Sequence, residues 1–316
     1  MSPQPLVAVT GGTGFLGLHL VPALAQAGFR VRVLARRAPA HPAFATVEFE
    51  TVPGRLEDEA ALAALVEGAA VVVHAAGLIK ARNRAAFLRA NQGGTAALAR
   101  ITRRVVPDAK FVLVSSLAAR EPQLSNYAFS KHAAEAAARQ ELAAAQLAIL
   151  RPPAIYGPWD RETLALFRAS LYSFAPLLSD GKAAVIHAAD AAGAITAMAG
   201  SKFQPGCFAL TDDQPEGYSL RALMNEAARA TGGRTKLIRL PKWLVLSAGF
   251  GSGLVGGFSK APPIFTLGKA REILHPDWSV HPAELLPREV YTPRINLAQG
   301  FAETVAWYRQ AGWLRG

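Results

Sequence analysis

A glycine-rich loop near the amino terminus constrains the fold of this 316-residue chain more than any other feature. The loop reads Thr10-Gly11-Gly12-Thr13-Gly14-Phe15-Leu16-Gly17 and joins an apolar strand to a helix. Glycines three residues apart permit a tight turn, a close backbone approach to a ligand, and close packing of helix on strand. The helix N-terminus adds free amide groups and a positive dipole end. The loop therefore predicts a site for the pyrophosphate of a dinucleotide.

The first half of the chain continues with alternating strands and helices. The strands are nearly continuous in apolar residues, which is typical of a parallel sheet covered on both faces. The predicted strands are 6–10, 31–34, 47–52, 71–74, 111–114 and 147–150, and the predicted helices are 16–27, 57–67, 84–104 and 128–145. The fold class is therefore α/β, a Rossmann-type doubly wound parallel sheet with a smaller, mostly helical C-terminal substrate lobe.

The second half of the chain is less regular. Short strands are predicted at 183–186 and 207–210, and helices at 219–230, 266–274 and 296–312. We predict a dinucleotide-binding domain over 1–155, with a return segment near 183–210, and a substrate-binding lobe over 156–316.

Composition limits the partners. The net charge is +11, but the arginines and lysines are scattered and form no basic stripe with interleaved aromatics, which argues against a nucleic acid. The single cysteine, Cys207, excludes a disulfide framework and a thiolate metal cluster, and the seven histidines are dispersed, so we expect no metal site. The start of the chain has no basic n-region, which predicts that there is no signal peptide.

The longest apolar stretch, 243–258, has 16 residues and five glycines, which is too short to span a bilayer. Two interpretations remain open for it: a core helix of the small lobe, or a peripheral contact with a membrane. We predict a cytoplasmic protein, with membrane association as the alternative.

The end of the second strand bears on cofactor choice. An NAD site usually has an acidic residue here, which binds the ribose 2′-hydroxyl. This chain has Arg36 and Arg37 instead, and a guanidinium can pair with a 2′-phosphate. The sequence therefore favours NADP(H) over NAD(H), although ordinary surface arginines are the alternative.

A candidate catalytic group follows the fifth strand. Tyr127 and Lys131 stand four residues apart, so they share one face of the predicted helix. A nearby ammonium lowers the pKa of a phenol, ordinarily about 10, toward the working range of a general acid or base. Ser116, at the carboxyl end of the strand, can hydrogen-bond a substrate carbonyl, with Ser115 as its competitor. Asn91 can support the lysine through a water, or it is a plain helix-surface residue.

These motifs together resemble the extended short-chain dehydrogenase/reductase family, which is NAD-dependent epimerase/dehydratase-like. Residues 74–77, 91–95, 150–158 and 185–190 carry further parts of the resemblance, and the tail is most similar to 3β-hydroxysteroid dehydrogenase-like members. The resemblance implies that Ser116, Tyr127 and Lys131 are catalytic, with Asn91 in support. The cofactor-binding residues that the sequence and the resemblance indicate are Gly11, Thr13, Gly14, Phe15, Leu16, Gly17, Arg36, Arg37, Leu56, Ala75, Ala76, Gly77, Lys131, Pro152 and Ile155.

The resemblance carries further expectations. His74, His187 and Asp190 are expected to be structural. Relatives often form homodimers through the helices that correspond to 84–104 and 128–145. Two departures stand out. Arg55 follows Gly54 where many relatives have an acid that seats the adenine, so Asp58 is a candidate substitute. Only 11 positions separate Ser116 from Tyr127, fewer than in relatives that act on nucleotide sugars.

Three functions follow from this sequence. The first is an NADP(H)-dependent oxidoreductase that interconverts a ketone and an alcohol on an apolar small molecule. The second is a nucleotide-sugar epimerase or dehydratase with tightly bound NAD. The third is a non-catalytic cofactor-binding assembly protein of a respiratory complex, which the presence of Tyr127 and Lys131 disfavours.

Overall fold

The structure, a computed structural model, describes residues 4–257 and 265–314, and only the backbone of 253–257. It forms two compact units. The first comprises Met1–Arg151, Ala191–Phe208 and Leu286–Thr292, and the second comprises Pro152–Asp190, Ala209–Leu285 and Pro293–Gly316.

The early elements follow the apolar runs of the sequence closely. In chain order they are β1 (Leu6–Thr10), α1 (Phe15–Gln26), β2 (Arg30–Ala35), β3 (Glu50–Pro53), α2 (Glu59–Val66), β4 (Val71–His74), α3 (Arg84–Phe87), a π-helical turn (Leu88–Gly93), α4 (Gly94–Val105), β5 (Lys110–Val114), α5 (Asn126–Glu141) and β6 (Leu147–Arg151).

The later elements are shorter. They are β7 (Ala154–Tyr156), α6 (Leu164–Ala169), β8 (Phe174–Leu177), β9 (Lys182–Ala183), β10 (Val185–His187), α7 (Ala188–Ala199), β11 (Gly206–Ala209), β12 (Tyr218–Ser219), α8 (Leu220–Thr231), β13 (Lys236–Arg239), α9 (Lys242–Gly257), α10 (Leu267–Leu274), β14 (Asp277–Trp278) and α11 (Leu297–Gln310). Short 3₁₀ turns cover Pro42–Phe44, Leu117–Arg120, Ala144–Gln146 and Pro282–Glu284.

A seven-stranded sheet with the order β11-β6-β5-β4-β1-β2-β3 confirms the predicted Rossmann-type fold. The pairs from β3 across to β6 are all parallel. The strand order reverses between β1 and β4, where Thr10 is in register with His74. Ligands of such sheets bind at the carboxyl ends of the strands, beside this reversal. The sheet and its helices bury a continuous apolar core that includes Leu62, Leu98, Phe111 and Ile149.

The second unit has its own core, in which Tyr156, Phe167, Phe301 and Tyr308 pack edge to face. Its strands form three small sheets, β10-β7, β12-β9-β14 and β13-β8. The helix α9 contains most of the apolar stretch predicted at 243–258, whose last residue, Phe258, lies outside the described residues. Of the helices that the structure describes, none has the length and apolar character needed to cross a membrane.

Two predicted elements were wrong in detail. The helix predicted over 84–104 is interrupted by the π-helical turn, and the single strand predicted over 183–186 is two strands in different sheets. The second difference arises because the Ala184 amide donates to Trp278 O, whereas Val185 pairs in parallel with Ala154.

Candidate active site

The glycine loop leaves the first turn of α1 open to a ligand. Gly11 has a φ of 76°, and a Cβ there would lie 2.5 Å from the Ala76 amide nitrogen, so only glycine fits. Gly14 is the N-cap residue and has no capping side chain. The first amide inside the helix to bond back is that of Leu18, which donates to Gly14 O. The preceding amides therefore have no intrahelical partner, as at any helix N-terminus.

The outer side of this turn is open and contains no acidic side chain. A Cβ on Gly14 would meet only Gly11 O, at 3.4 Å, so its outer side is unfilled, and Thr13 and Gly14 are exposed. Phe15 and Leu16 are half-buried, and the first turn contains no acidic residue. Gly17 packs against the loop, since a Cβ there would lie 2.3 Å from Gly11 O. The arrangement presents backbone donors and a dipole to an anion.

The carboxyl end of β2 carries two exposed guanidiniums. Arg36 and Arg37 follow the strand directly, and within the described residues neither forms an ion pair or hydrogen bond. The end of β3 is followed by Leu56, which is half-buried against Gly94. Asp58 is the N-cap of α2, where its carboxylate accepts from the Ala61 amide at 3.0 Å. Asp58 is thus already engaged in capping a helix.

The last residue of β4, His74, is a fully buried histidine. His74 lies between two threonines, with Thr10 Oγ1 2.6 Å from Nδ1 and Thr95 Oγ1 3.0 Å from Nε2. Thr95 uses its hydroxyl hydrogen on Asn91 O, so it accepts from His74 Nε2–H, and Thr10 donates to Nδ1. Burial, together with the charge of Lys131, lowers the pKa of His74 to about 3. A neutral histidine with both nitrogens occupied is structural.

The small residues after His74 leave the site open. Ala75 and Ala76 are half-buried and their amides are tied to Thr10, whereas Gly77 is exposed. A Cβ on Gly77 would lie 3.2 Å from Asn91 Oδ1 and 3.7 Å from Lys131 Nζ, so both polar atoms flank the same point.

Asn91 lies in the π-helical turn and is buried. Its side chain accepts from the Leu78 amide at 2.7 Å, donates to Leu78 O at 3.0 Å, and donates to Ser130 Oγ at 2.8 Å. Ser130 in turn donates to Tyr127 O. Asn91 thereby links the loop after β4 to α5, the helix that carries Tyr127 and Lys131. We detect no sequence signal that would have predicted the π-helical turn, although such turns often occur at functional sites.

Lys131 is the buried cation of the site. Its Nζ donates to Val114 O, the last carbonyl of β5, at 2.7 Å. Burial lowers the pKa of Lys131 to about 8, against the opposing effect of the Glu135 carboxylate one turn further along α5. The helix itself begins at Ser125, whose hydroxyl caps the Ala128 amide. The half-buried Tyr127 lies in the first turn, with its ring centroid 6.2 Å from that of Phe87.

The two adjacent serines after β5 have different environments. Ser115 is buried and donates to Glu135 at 2.6 Å, on the side away from solvent. Ser116 is half-buried, and its hydroxyl oxygen accepts from the Ala118 amide at 3.2 Å, which leaves its hydrogen to donate. This difference favours Ser116 as the serine that would contact a substrate.

The buried Glu135 and the half-buried Arg151 form an ion pair that sequence reasoning missed. Arg151 donates to Glu135 through Nε at 2.8 Å and Nη2 at 2.7 Å. Burial alone would raise the pKa of Glu135, but the hydrogen bonds from Arg151 and Ser115 hold it below its usual value. The pair fixes the end of β6 to α5, and the position of Glu135 four residues after Lys131 was the available signal.

Substituting each of the two adjacent serines in turn tests which of them contacts a substrate. If Ser116 donates a hydrogen bond to the substrate oxygen, as the sequence predicts, we expect Ser116→Ala to lower kcat by roughly 10²-fold, with a stability loss of about 1 kcal/mol from the lost cap. Ser115→Ala should leave kcat near wild type but cost about 1.5–3 kcal/mol of unfolding free energy, because a buried carboxylate loses a donor. Steady-state kinetics and urea unfolding of both variants check this. The reverse pattern would make Ser115 the substrate contact.

The comparisons with known proteins agree with this geometry. The model of the NAD dependent epimerase/dehydratase family matches residues 7–207. The chain belongs to this family. It is therefore an NAD(P)-dependent enzyme, and its reductase relative supports an oxidoreductase of the short-chain dehydrogenase/reductase superfamily.

Three proteins that are similar to this chain indicate its activity class and its fold. A ceramide reductase of Caulobacter vibrioides (strain NA1000 / CB15N) is 47% identical over 98% of this chain and 96% of its own. The crystal structure of gox2253 superposes with a TM-score of 0.77 at 19% identity, covering 99% of this chain and all of the other. MoeE5, in complex with UDP-glucuronic acid and NAD, gives 0.69 at 20% identity and covers 97% and 99%. The last two likenesses support the fold alone.

Proposed function

We propose that this chain is an NADP(H)-dependent reductase that converts a ketone on a ceramide-type lipid into an alcohol. The observation that carries the proposal is the 47% identity to a ceramide reductase along nearly the full length of both chains. Such a substrate agrees with the apolar molecule that the sequence favours. The short interval between Ser116 and Tyr127 continues to disfavour a nucleotide-sugar substrate.

In the proposed reaction each side chain has one task. Ser116 donates a hydrogen bond to the ketone oxygen and holds it beside Tyr127. When bound, the reduced nicotinamide supplies a hydride to the carbonyl carbon. Tyr127 gives its phenolic proton to the oxygen, so the C=O bond becomes an alcohol and the phenolate is left behind. Lys131, while charged, stabilises that phenolate, and Asn91 positions the lysine by holding the loop beside it.

The proposed cofactor site uses the open turn of α1. The backbone of Gly11–Gly17 would hold the pyrophosphate, and Ala75 to Gly77 would leave room for the adjoining ribose. Pro152, which is buried, and Ile155, which is half-buried, are proposed to lie beside the nicotinamide carboxamide.

Arg36 and Arg37 are proposed to select NADP(H). We expect the double replacement by alanine to raise the KM for NADPH by at least about 10²-fold, since it removes two charge-assisted hydrogen bonds to a 2′-phosphate, worth about 1.5–3 kcal/mol each. The KM for NADH should change little, because NADH lacks that phosphate. Kinetics with each cofactor check this.

The matched control for this prediction is Arg103→Ala with Arg104→Ala. These two exposed arginines end α4, just before β5 begins, so they lie at the opposite edge of the sheet from the end of β2. Recognition of the phosphate would be contradicted if the Arg36 and Arg37 variant raised the KM for NADPH and for NADH equally. It would also be contradicted if the control variant raised the KM for NADPH by a similar factor.

The proposal as a whole is tested with purified enzyme, NADPH and a keto-ceramide in detergent micelles. The expected result is stoichiometric oxidation of NADPH and an alcohol product identified by mass spectrometry. UDP-glucose serves as the comparison substrate. Its epimerisation without net cofactor consumption, together with no turnover of the keto-ceramide, would overturn the proposal in favour of a nucleotide-sugar enzyme.

A further inference from the structure

Exposed apolar side chains are concentrated in two segments of the second unit. Nine large hydrophobic residues are exposed among the described residues, and seven of them lie within 171–174 or 238–250. The seven are Leu171, Tyr172, Phe174, Ile238, Trp243, Leu244 and Phe250. Scattered apolar residues on a surface need no explanation, but a concentration of this kind marks an interaction site.

The first part of this concentration is one face of a two-stranded sheet. In β8, Ala175 and Leu177 are buried while Phe174 and Pro176 are exposed. The parallel register places Lys236 beside Phe174 and Ile238 beside Pro176, and both β13 residues are exposed. Because side chains alternate along a strand, this sheet turns one apolar face inward and a second one to the outside.

The helix α9 continues the exposed surface. Its inner side contains Val245 and Gly249, which are both buried. A Cβ added to Gly249 would lie 2.9 Å from Thr266 O. Trp243 and Phe250, seven residues apart, share the other side and are 67% and 58% exposed. Leu240 N donates to Leu177 O, and three peptide steps from there to Trp243 span at most about 11 Å. The sheet and the first turn of α9 are therefore neighbours.

The charge of the surrounding chain has a single sign. Residues 233–271 include no aspartate or glutamate and seven cations: Arg234, Lys236, Arg239, Lys242, Lys260, Lys269 and Arg271. Arg239 forms an ion pair with the exposed Asp180, Lys269 forms one with Glu272 at 3.3 Å, and Lys260 lies outside the described residues. The side chains of Lys236 and Lys242 are exposed, and among the described residues their ammonium groups have no hydrogen-bond or ion-pair partner. Aromatic side chains among unpaired lysines are typical of surfaces that insert shallowly into anionic lipid.

We propose that this apolar-basic surface, formed by Tyr172, Phe174, Ile238, Trp243 and Phe250 with Lys236 and Lys242, docks the enzyme onto an anionic membrane. Trp243 and Phe250 would enter the headgroup region, and the two lysines would pair with anionic headgroups. An anionic bilayer fits this charge pattern better than a second copy of the chain, because like-charged surfaces would face each other.

Vesicle sedimentation with the full chain tests the proposal, without substrate or cofactor. We expect binding to vesicles of equal parts phosphatidylcholine and phosphatidylglycerol, weakening with salt, and little binding to phosphatidylcholine alone. Lys236→Gln with Lys242→Gln should weaken binding about 30-fold. Trp243→Gln with Phe250→Gln should weaken vesicle binding at least about 10-fold. It should also abolish the quenching of the protein's tryptophan fluorescence by brominated lipid.

The matched control is Arg103→Gln with Arg104→Gln, which removes the same charge from α4 and should leave binding unchanged. Thermal unfolding of each variant establishes that it is folded. The proposal is overturned if both surface variants bind the anionic vesicles as tightly as wild type does, or if the control variant loses as much affinity as they do. It is also overturned if the wild-type protein binds no vesicles at all. It is also overturned if the Trp243 and Phe250 variant changes the oligomeric state, which would assign the surface to a second copy. Since no turnover is measured, failure here is distinct from failure of the proposed reduction.

Discussion

Replacement of Tyr127 by phenylalanine is expected to lower kcat by about 10³-fold, because the reacting oxygen loses its proton donor. The ring remains, so its contact with Phe87 and the start of α5 should persist. NADPH affinity should change little, since the turn proposed to hold the pyrophosphate lies on a different element. Single-turnover kinetics and a fluorescence titration with NADPH measure the two quantities separately.

The control for this variant is Tyr172→Phe, which removes the same hydroxyl from a tyrosine that is 68% exposed in the second unit. Its kcat should match wild type in detergent micelles. If Tyr127→Phe kept full activity, the proton would come from another donor and the catalytic proposal would be wrong. If it lost NADPH binding to the same degree as turnover, the tyrosine would serve cofactor binding instead.

Lys131 is expected to give the folded protein an unusual dependence on alkaline pH. Burial lowers its pKa to about 8, from an ordinary 10.5. Between these two values the unfolded chain binds the proton that the folded chain has lost, so this group makes the free energy of unfolding rise with pH. Below about pH 8 the buried charge carries its full cost, and the cost disappears as pH passes the unfolded value. The difference corresponds to about 3 kcal/mol.

The measurement compares wild type with Lys131→Met, without cofactor, by urea unfolding across this range. Other titrating groups cancel in the difference. We expect the stability of wild type relative to the variant to increase by about 2–3 kcal/mol from pH 7 to pH 10. A constant difference would mean that the ammonium is solvated in the folded protein. Turnover by Lys131→Met should also be strongly reduced, because the phenolate loses its stabilising charge.

Short apolar runs made much of the fold predictable from sequence. The strands Leu6–Thr10 and Val71–His74 have the predicted bounds, because each is a continuous buried run between breakers. The roles of Ser115 and Ser116 stayed open, since adjacent residues of an extended chain point to opposite faces and only the fold shows which face is buried. The bond from Ser115 to Glu135 favours Ser116 as the substrate contact, and it joins distant residues, so no local pattern encodes it.

The interrupted helix before β5 shows the same limit. Leu88–Gly93 has the composition of an ordinary helix, and the wider turn is held by bonds from Asn91 to Leu78 and Ser130. Helix propensity describes neighbours along one helix and contains no information about these partners. The sequence offered Tyr127, Lys131, Ser116 and Asn91 as candidates through their types and spacing, whereas it gave no indication of the hydrogen bonds that orient them.

The π-helical turn at Leu88–Gly93 also determines how the segment before it is rotated about the helix axis. An α-helix advances about 100° per residue, so one residue more or fewer here would rotate the preceding segment by that amount about the axis. Phe87 and Asn91 would then face new directions although no side chain had been replaced. Single-residue insertions and deletions at this point should therefore be far less tolerated than substitutions, because the length of this short segment fixes the direction of the side chains before it.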